Sequence, residues 1–167
     1  GTRIVDDCWS YSALLRQTLG FSEAKSYQRA RGGGSIGWGL PGALGVKLAS
    51  PDNPVVCICG DGSAMLSIQS LWTAAHYNIP VTYVICANGI YRQVRMMKNR
   101  IMGPRPSAGR YLGTDISTPK IDFGGLARSL GISSTRVERP ADLPAALKSA
   151  FDSPGPNLVE VTVDGSL

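Results

Sequence analysis

The chain has 167 residues, 43% apolar and 17% charged, with a net charge of +5. These values fit one folded domain, residues 1–167, with a core of its own, and exclude a disordered chain. No apolar run reaches the ~18–20 residues of a membrane span and no signal-peptide pattern opens the chain, so a cytoplasmic protein with no membrane partner is expected.

In chain order, Arg3-Ile4-Val5 reads as a short strand and Ser10 to Leu19 as a helix with Leu14, Leu15 and Leu19 on one side. Lys25 to Arg31 makes a poor buried strand. The glycine-rich stretch Gly32-Gly33-Gly34-Ser35-Ile36-Gly37 follows, and then a helix carrying Leu40, Ala43, Leu44 and Leu48. Val55-Val56-Cys57-Ile58-Cys59 is a buried strand, and Met65, Ile68, Leu71, Trp72 and Ala75 fall on one helical face that Pro80 closes. Val81 to Cys86 is a second buried strand, rich in β-branched and aromatic residues. Arg92 to Met102 carries Val94, Met96, Met97 and Ile101, and Gly103 to Gly109 is a breaker-rich loop. Helices around Phe123–Leu130 and Leu143–Ala150 alternate with strands at Ser134–Val137 and Leu158–Val163. Such alternation predicts a single α/β domain, with a mostly parallel sheet of about six strands covered by helices on both faces.

The four cysteines, Cys8, Cys57, Cys59 and Cys86, read as buried thiols in a reducing compartment. Between Tyr91 and Thr114 lie Arg92, Arg95, Lys98, Arg100, Arg105 and Arg110, with no acidic residue. Such a block suits nucleic acid or an anionic substrate. Without interleaved aromatic residues it reads not as a nucleic-acid surface but as a solvated edge that meets another subunit, and an anionic substrate stays open. His76, the only histidine, reads as a surface or capping residue near a helix end.

Chemistry concentrates between Gly60 and Tyr91. Strand, helix and strand form one βαβ unit, with Asp61 ending its first strand and Asn88 its second. A right-handed crossover brings both ends to one rim of the sheet. A carboxylate and an amide oxygen are the ligand types magnesium takes, with phosphate oxygens and water completing its shell. Gly62-Ser63 stands where a helix opens, with N–H groups aimed at an anion. Since Asp61 is assigned to a rim, Asp61→Ala is expected to abolish metal-dependent binding with little loss of fold.

Gly60-Asp61-Gly62, the spacer and Asn88 resemble the diphosphate-binding domain of thiamine-diphosphate enzymes. Ser70 to Pro80 looks most like its benzoylformate decarboxylase branch, with acetolactate synthase-like 2-oxoacid decarboxylases as neighbours. Ala87 stands where that family has the first Asn of a pair. The resemblance implies the cofactors thiamine diphosphate and Mg2+, with Asp61, the Asn88 side chain and the Ile90 carbonyl on the metal. It further implies Ser10, Gly62, Ser63 and Tyr91 around the diphosphate, and Gly34, Ser35 and Ile36 at the pyrimidine. There, a Gly34 carbonyl takes the amino group and Ile36 acts as an apolar wedge. Val94 and Met97 become candidates for the substrate wall; a helix buried in its own core explains the same pattern. Ser10 reads equally as a helix cap.

In that family a Glu from a separate domain, across a subunit interface, activates the cofactor. Glu23, Glu138 and Glu160 stand in no matching context, so no catalytic residue is assigned here. The chain is then expected to be a fragment or one subunit of a split enzyme, inactive alone. It would work with a pyrimidine-binding domain or subunit, in a dimer or tetramer, on a small 2-oxoacid. A non-catalytic module for magnesium and a diphosphate is the alternative. A dinucleotide-dependent oxidoreductase rests only on Gly32, Gly34 and Gly37, with no acidic residue ending a second strand about 20 positions on.

Overall fold

A computed structural model describes residues 1–21, 23–30, 32–103 and 111–167. Most of the breaker-rich loop, together with Arg31, Arg105 and Arg110, lies outside them. The elements are β1 (Arg3–Asp7), α1 (Ser12–Thr18), β2 (Tyr27–Arg29), α2 (Gly39–Ala49), β3 (Val55–Gly60), α3 (Asp61–Ala64), α4 (Ser70–His76), β4 (Thr82–Ala87), α5 (Arg92–Met102), α6 (Phe123–Ser129), β5 (Ser133–Val137), α7 (Leu143–Phe151) and β6 (Asn157–Thr162). They form one α/β domain. The sheet runs β2-β1-β3-β4-β6-β5, and every described pairing is parallel.

The β-branched strands β3 and β4 occupy the centre because both their faces can be apolar. Val55, Cys57, Cys59, Tyr83 and Ile85 point into the main core, against Leu40, Ala43 and Leu44 of α2, Ala64 of α3, Leu71 and Ala74 of α4, and Phe123 and Ala127 of α6. A smaller cluster joins Val137 and Val159 to Ala150 on α7. Ile58 and Val84, partners in the β3–β4 register, alternate to the opposite face from the main core and are only half-buried. Helix cover is thus uneven between the two faces.

Several apolar residues depart from the expected pattern. The helix after Gly60 is broken: Leu66, Ser67, Ser70 and Leu71 donate to carbonyls three residues back. That tighter winding has fewer residues per turn and shifts the phase of the helix beyond it. Leu71 and Ala74 therefore face the core, while Met65 and Trp72 are exposed. Trp72 instead stacks on His76, ring centroids 4.6 Å apart, and His76 sits at the exposed end of α4. Leu14 and Leu48 are also exposed. The Lys25–Arg31 stretch contains β2, a three-residue edge strand whose residues are half-buried. All four cysteines are free thiols; Cys8, Cys57 and Cys59 are buried and Cys86 half-buried.

Candidate cofactor site

Chain direction across the sheet reverses between β1 and β3: β2 lies to one side of β1, and the remaining strands to the other. In open parallel sheets the loops diverge at such a switch point and leave a crevice at the strands' carboxyl ends. A cavity of ≈ 180 Å³ lies there, walled by Ser10 and Tyr11 after β1, Gly60 to Ser63 after β3, and Asn88, Ile90 and Tyr91 after β4. Gly34 and Ile36, from the loop after β2, complete its rim.

Asp61 is 4% exposed, so the rim position read from sequence is in fact an interior one. Its Oδ1 accepts the Gly62 N–H at 2.8 Å, and its Oδ2 accepts those of Asn88 at 2.8 Å and Gly89 at 2.6 Å. One carboxylate thus ties the end of β3 to the turn after β4. Burial pushes its pKa above the ordinary carboxylate value, against the three N–H groups that hold the charge. The Gly62 N–H is consequently engaged by Asp61 and not free for an anion. The helix it opens is four residues long, too short for much of a macrodipole.

Asn88 presents a carboxamide to the same corner. Its Oδ1 accepts the Ile90 N–H at 3.0 Å, and its Nδ2 donates to the Tyr11 hydroxyl at 3.4 Å. The Ile90 carbonyl accepts the Arg92 N–H at 2.9 Å, which leaves its second lone pair unassigned. A carboxylate, a carboxamide oxygen and a backbone carbonyl are hard donors of the kind magnesium prefers. Among the described residues, no group of three or more His, Cys, Asp or Glu offers a softer alternative.

Tyr91 lies over Gly62, where a Cβ would fall 2.4 Å from the ring. The cavity floor adds Cys8, Trp9 and Cys86, and α5 adds Arg92, Gln93, Val94 and Met97. No residue of α5 is buried. Val94, 50% exposed, and Met97, 55%, therefore serve the cavity wall and not a core under their own helix. Ser35 is exposed and does not line the cavity. Ser10 does, but α1 begins at Ser12 with Tyr11 as its N-cap residue and no side-chain capping bond, so Ser10 is not a helix cap. None of the three glutamates lines this cavity. Glu160 is buried elsewhere, its Oε1 accepting from Arg136 at 3.1 and 2.6 Å.

Sequence reasoning missed Tyr11 and Asp7. Asp7 Oδ2 accepts the N–H groups of Gly37 at 2.9 Å and Gly39 at 3.0 Å, fixing the loop that carries Ile36. Asp7 is the last residue of β1 and Tyr11 the residue before α1, and no diagnostic spacing marks either; only their nearness to Ser10 pointed to them. The Gly32–Gly37 pattern follows the edge strand β2, not a strand at the switch point, so the topology does not support a dinucleotide fingerprint.

The family described as thiamine pyrophosphate enzyme, C-terminal TPP binding domain, matches residues 10–161, and the chain belongs to it. A Mycobacterium tuberculosis protein named as an acetolactate synthase large subunit is 39% identical over 163 residues, 96% of this chain and 31% of that protein. Benzoylformate decarboxylase of Pseudomonas aeruginosa is 37% identical over 128 residues, 77% of this chain and 23% of that enzyme. Among solved structures, the thiamine diphosphate-dependent 4-hydroxybenzoylformate decarboxylase of Rhodococcus jostii RHA1 superposes with a TM-score of 0.88 at 37% identity. It covers 98% of this chain and 29% of that one. The chain thus spans less than a third of the length of each. No helix among the described residues is long and apolar enough to cross a membrane.

Proposed function

We propose that this chain is the diphosphate- and magnesium-binding part of a thiamine-diphosphate-dependent 2-oxoacid decarboxylase or carboligase. The observation that carries the reading is convergence. Residues from four separate loops, Ser10, Gly34, Ile36, Asp61, Gly62, Ser63, Asn88, Ile90 and Tyr91, line one cavity at the sheet's switch point. Asp61, Asn88 Oδ1 and the Ile90 carbonyl hold Mg2+ in this reading, and the buried, N–H-braced carboxylate fits a cation in that corner. Ser10, Gly62 and Ser63 surround the diphosphate; Gly62 leaves the space that Tyr91 closes. The Gly34 carbonyl and the Ile36 side chain orient the pyrimidine. Val94 and Met97 form an apolar wall that excludes water beside the substrate.

When bound, the cofactor supplies an electron sink for carbon–carbon bond cleavage or formation. The residues of this chain bind and orient it. The proton relay on the pyrimidine needs an acid, and no glutamate lines the cavity. That acid comes from a pyrimidine-binding domain or subunit in a dimer or tetramer, which matches the small share of each relative that the chain covers.

Crystals of the full-length protein grown with thiamine diphosphate and Mn2+, which scatters anomalously, test the assignment. The expected anomalous peak lies between Asp61, Asn88 and Ile90. A peak elsewhere, with density for the cofactor outside this cavity, contradicts it.

A further inference from the structure

An amide side chain is nearly symmetric in shape, so its oxygen and nitrogen exchange places by a half-turn of the terminal torsion. Only one placement offers oxygen to a cation. The hydrogen bonds around Asn88 select between the two. The Tyr11 hydroxyl donates to the Asp164 carbonyl at 2.6 Å. That bond takes its only proton and leaves lone pairs alone facing Asn88. A nitrogen can approach such an oxygen and a carbonyl oxygen cannot; Nδ2 is the atom found there, at 3.4 Å. Oδ1 is thereby turned the other way, where it accepts the Ile90 N–H.

The Asp164 carbonyl is itself held in place. Its carboxylate accepts the Ser166 N–H at 2.9 Å and the Ser166 hydroxyl at 2.6 Å, and Arg92 Nε donates to the Ser166 carbonyl at 2.6 Å. Between them Gly165 packs so closely on the Asn88–Ile90 turn that a Cβ would sit 3.1 Å from the Asn88 carbonyl oxygen. The segment after β6 therefore braces the turn from outside the cavity.

We propose that Tyr11 is a positioning residue for the metal: held as an acceptor by the Asp164 carbonyl, its hydroxyl sets the Asn88 carboxamide with its oxygen toward the cation. This rests on the assignment of Asn88 as a ligand. It carries a consequence that simple packing of Tyr11 lacks. An Asp at position 88 has no N–H to give, so one of its oxygens confronts the Tyr11 oxygen.

The test is Mg2+ titration of the full-length protein with thiamine diphosphate present, followed by tryptophan fluorescence, since Trp9 lines the cavity. Wild type, Tyr11→Phe, Asn88→Asp and the double variant are compared, with thermal unfolding of each apo-protein as a check on folding. Tyr11→Phe is expected to weaken Mg2+ binding roughly 10-fold or more, as loss of a group orienting a ligand does, with the apo-protein unfolding as wild type does. In the Asn88→Asp background the same exchange leaves Mg2+ affinity unchanged or tightens it. Equal weakening in both backgrounds, or none in either, overturns the positioning role alone. A wild type that shows no Mg2+ dependence overturns the metal assignment, and this inference with it.

Discussion

The Tyr91 ring occupies the space above Gly62, with Cε1 2.4 Å from where a Cβ would stand. The two residues come from opposite ends of the βαβ unit, so this contact closes the cavity between the β3 and β4 loops. Gly62→Ala must displace the ring. Overpacking of this kind costs about 1–3 kcal/mol, and the displaced ring is expected to intrude on the proposed diphosphate position. At least a tenfold loss of thiamine diphosphate affinity, read by calorimetry, is expected with a smaller fall in unfolding midpoint. Unchanged affinity would place the diphosphate away from Gly62.

Asp61→Ala affects both binding and fold. The N–H groups of Gly62, Asn88 and Gly89 all lose their acceptor. Each buried donor left unpaired costs about 1–3 kcal/mol, so stability falls measurably, contrary to what a rim position implies. Asp61→Asn retains one acceptor oxygen and is expected to fold better while still losing Mg2+-dependent binding. Denaturant unfolding separates the two variants; equal stability of Asp61→Ala and wild type would contradict the bracing role.

How far the site was legible depends on where its residues lie. Asp61 and Asn88 end strands with unambiguous β-branched and aromatic runs, and parallel connection by one helix brings such ends together. Gly34, Ile36 and Ser10 could be placed only through family likeness, since no local period fixes a loop's path. The break between α3 and α4 left no strong mark in the sequence: Met65 and Trp72 satisfy a 3.6-residue period that the tightened turns then shift. Tyr11 was illegible because its partners, Asn88 and Asp164, lie 77 and 153 positions away. The α5 residues Val94 and Met97 look like core by pattern, and only the fold reveals that nothing among the described residues buries them.

Asp7 gives a pH signature. Burial raises its carboxyl above the ordinary value, opposed by hydrogen bonds from Gly39 and Gly37. The folded state therefore holds the proton more tightly than the unfolded chain, whose Asp titrates near about 3.9. The stability this group contributes is fully present below that pH and is lost as pH rises through the raised folded value. Asp7→Asn keeps an oxygen for Gly37 and Gly39 and cannot ionise. Urea unfolding from about pH 4 to pH 7 is expected to shift the stability difference toward the variant as pH rises; a difference constant with pH would contradict the assignment.

Ile36 and Val94 separate fold from chemistry. Neither belongs to the main core, so Ile36→Ala and Val94→Ala should change stability by no more than about 0.5–1 kcal/mol. If the proposed function holds, Ile36→Ala in the full-length protein is expected to lower kcat more than cofactor affinity, because a wedge acts on the geometry of the bound state. Val94→Ala is expected to shift KM or the preference among the proposed 2-oxoacid substrates. Loss of cofactor binding without change in kcat at saturation would remove Ile36 from the wedge role.

Arg136 provides a control outside the cavity. Glu160 is buried against it, and Arg136→Met leaves that carboxylate without its cation. The cost is up to about 3 kcal/mol, the low end for breaking a buried pair, because the arginine is partly solvated. Thermal unfolding should register this while the number of cofactor sites stays the same. A variant as stable as wild type would contradict a stabilising role for this pair.

In the proposed function one cavity binds thiamine diphosphate through Mg2+. Calorimetric titration of the full-length protein with thiamine diphosphate, with Mg2+ and with the metal chelated, tests it most directly, and the Asp61→Asn variant supplies the comparison. Saturable binding that requires Mg2+ in the wild type and vanishes in Asp61→Asn is the predicted result. Binding of equal strength without Mg2+, or binding that survives in Asp61→Asn, would contradict the account.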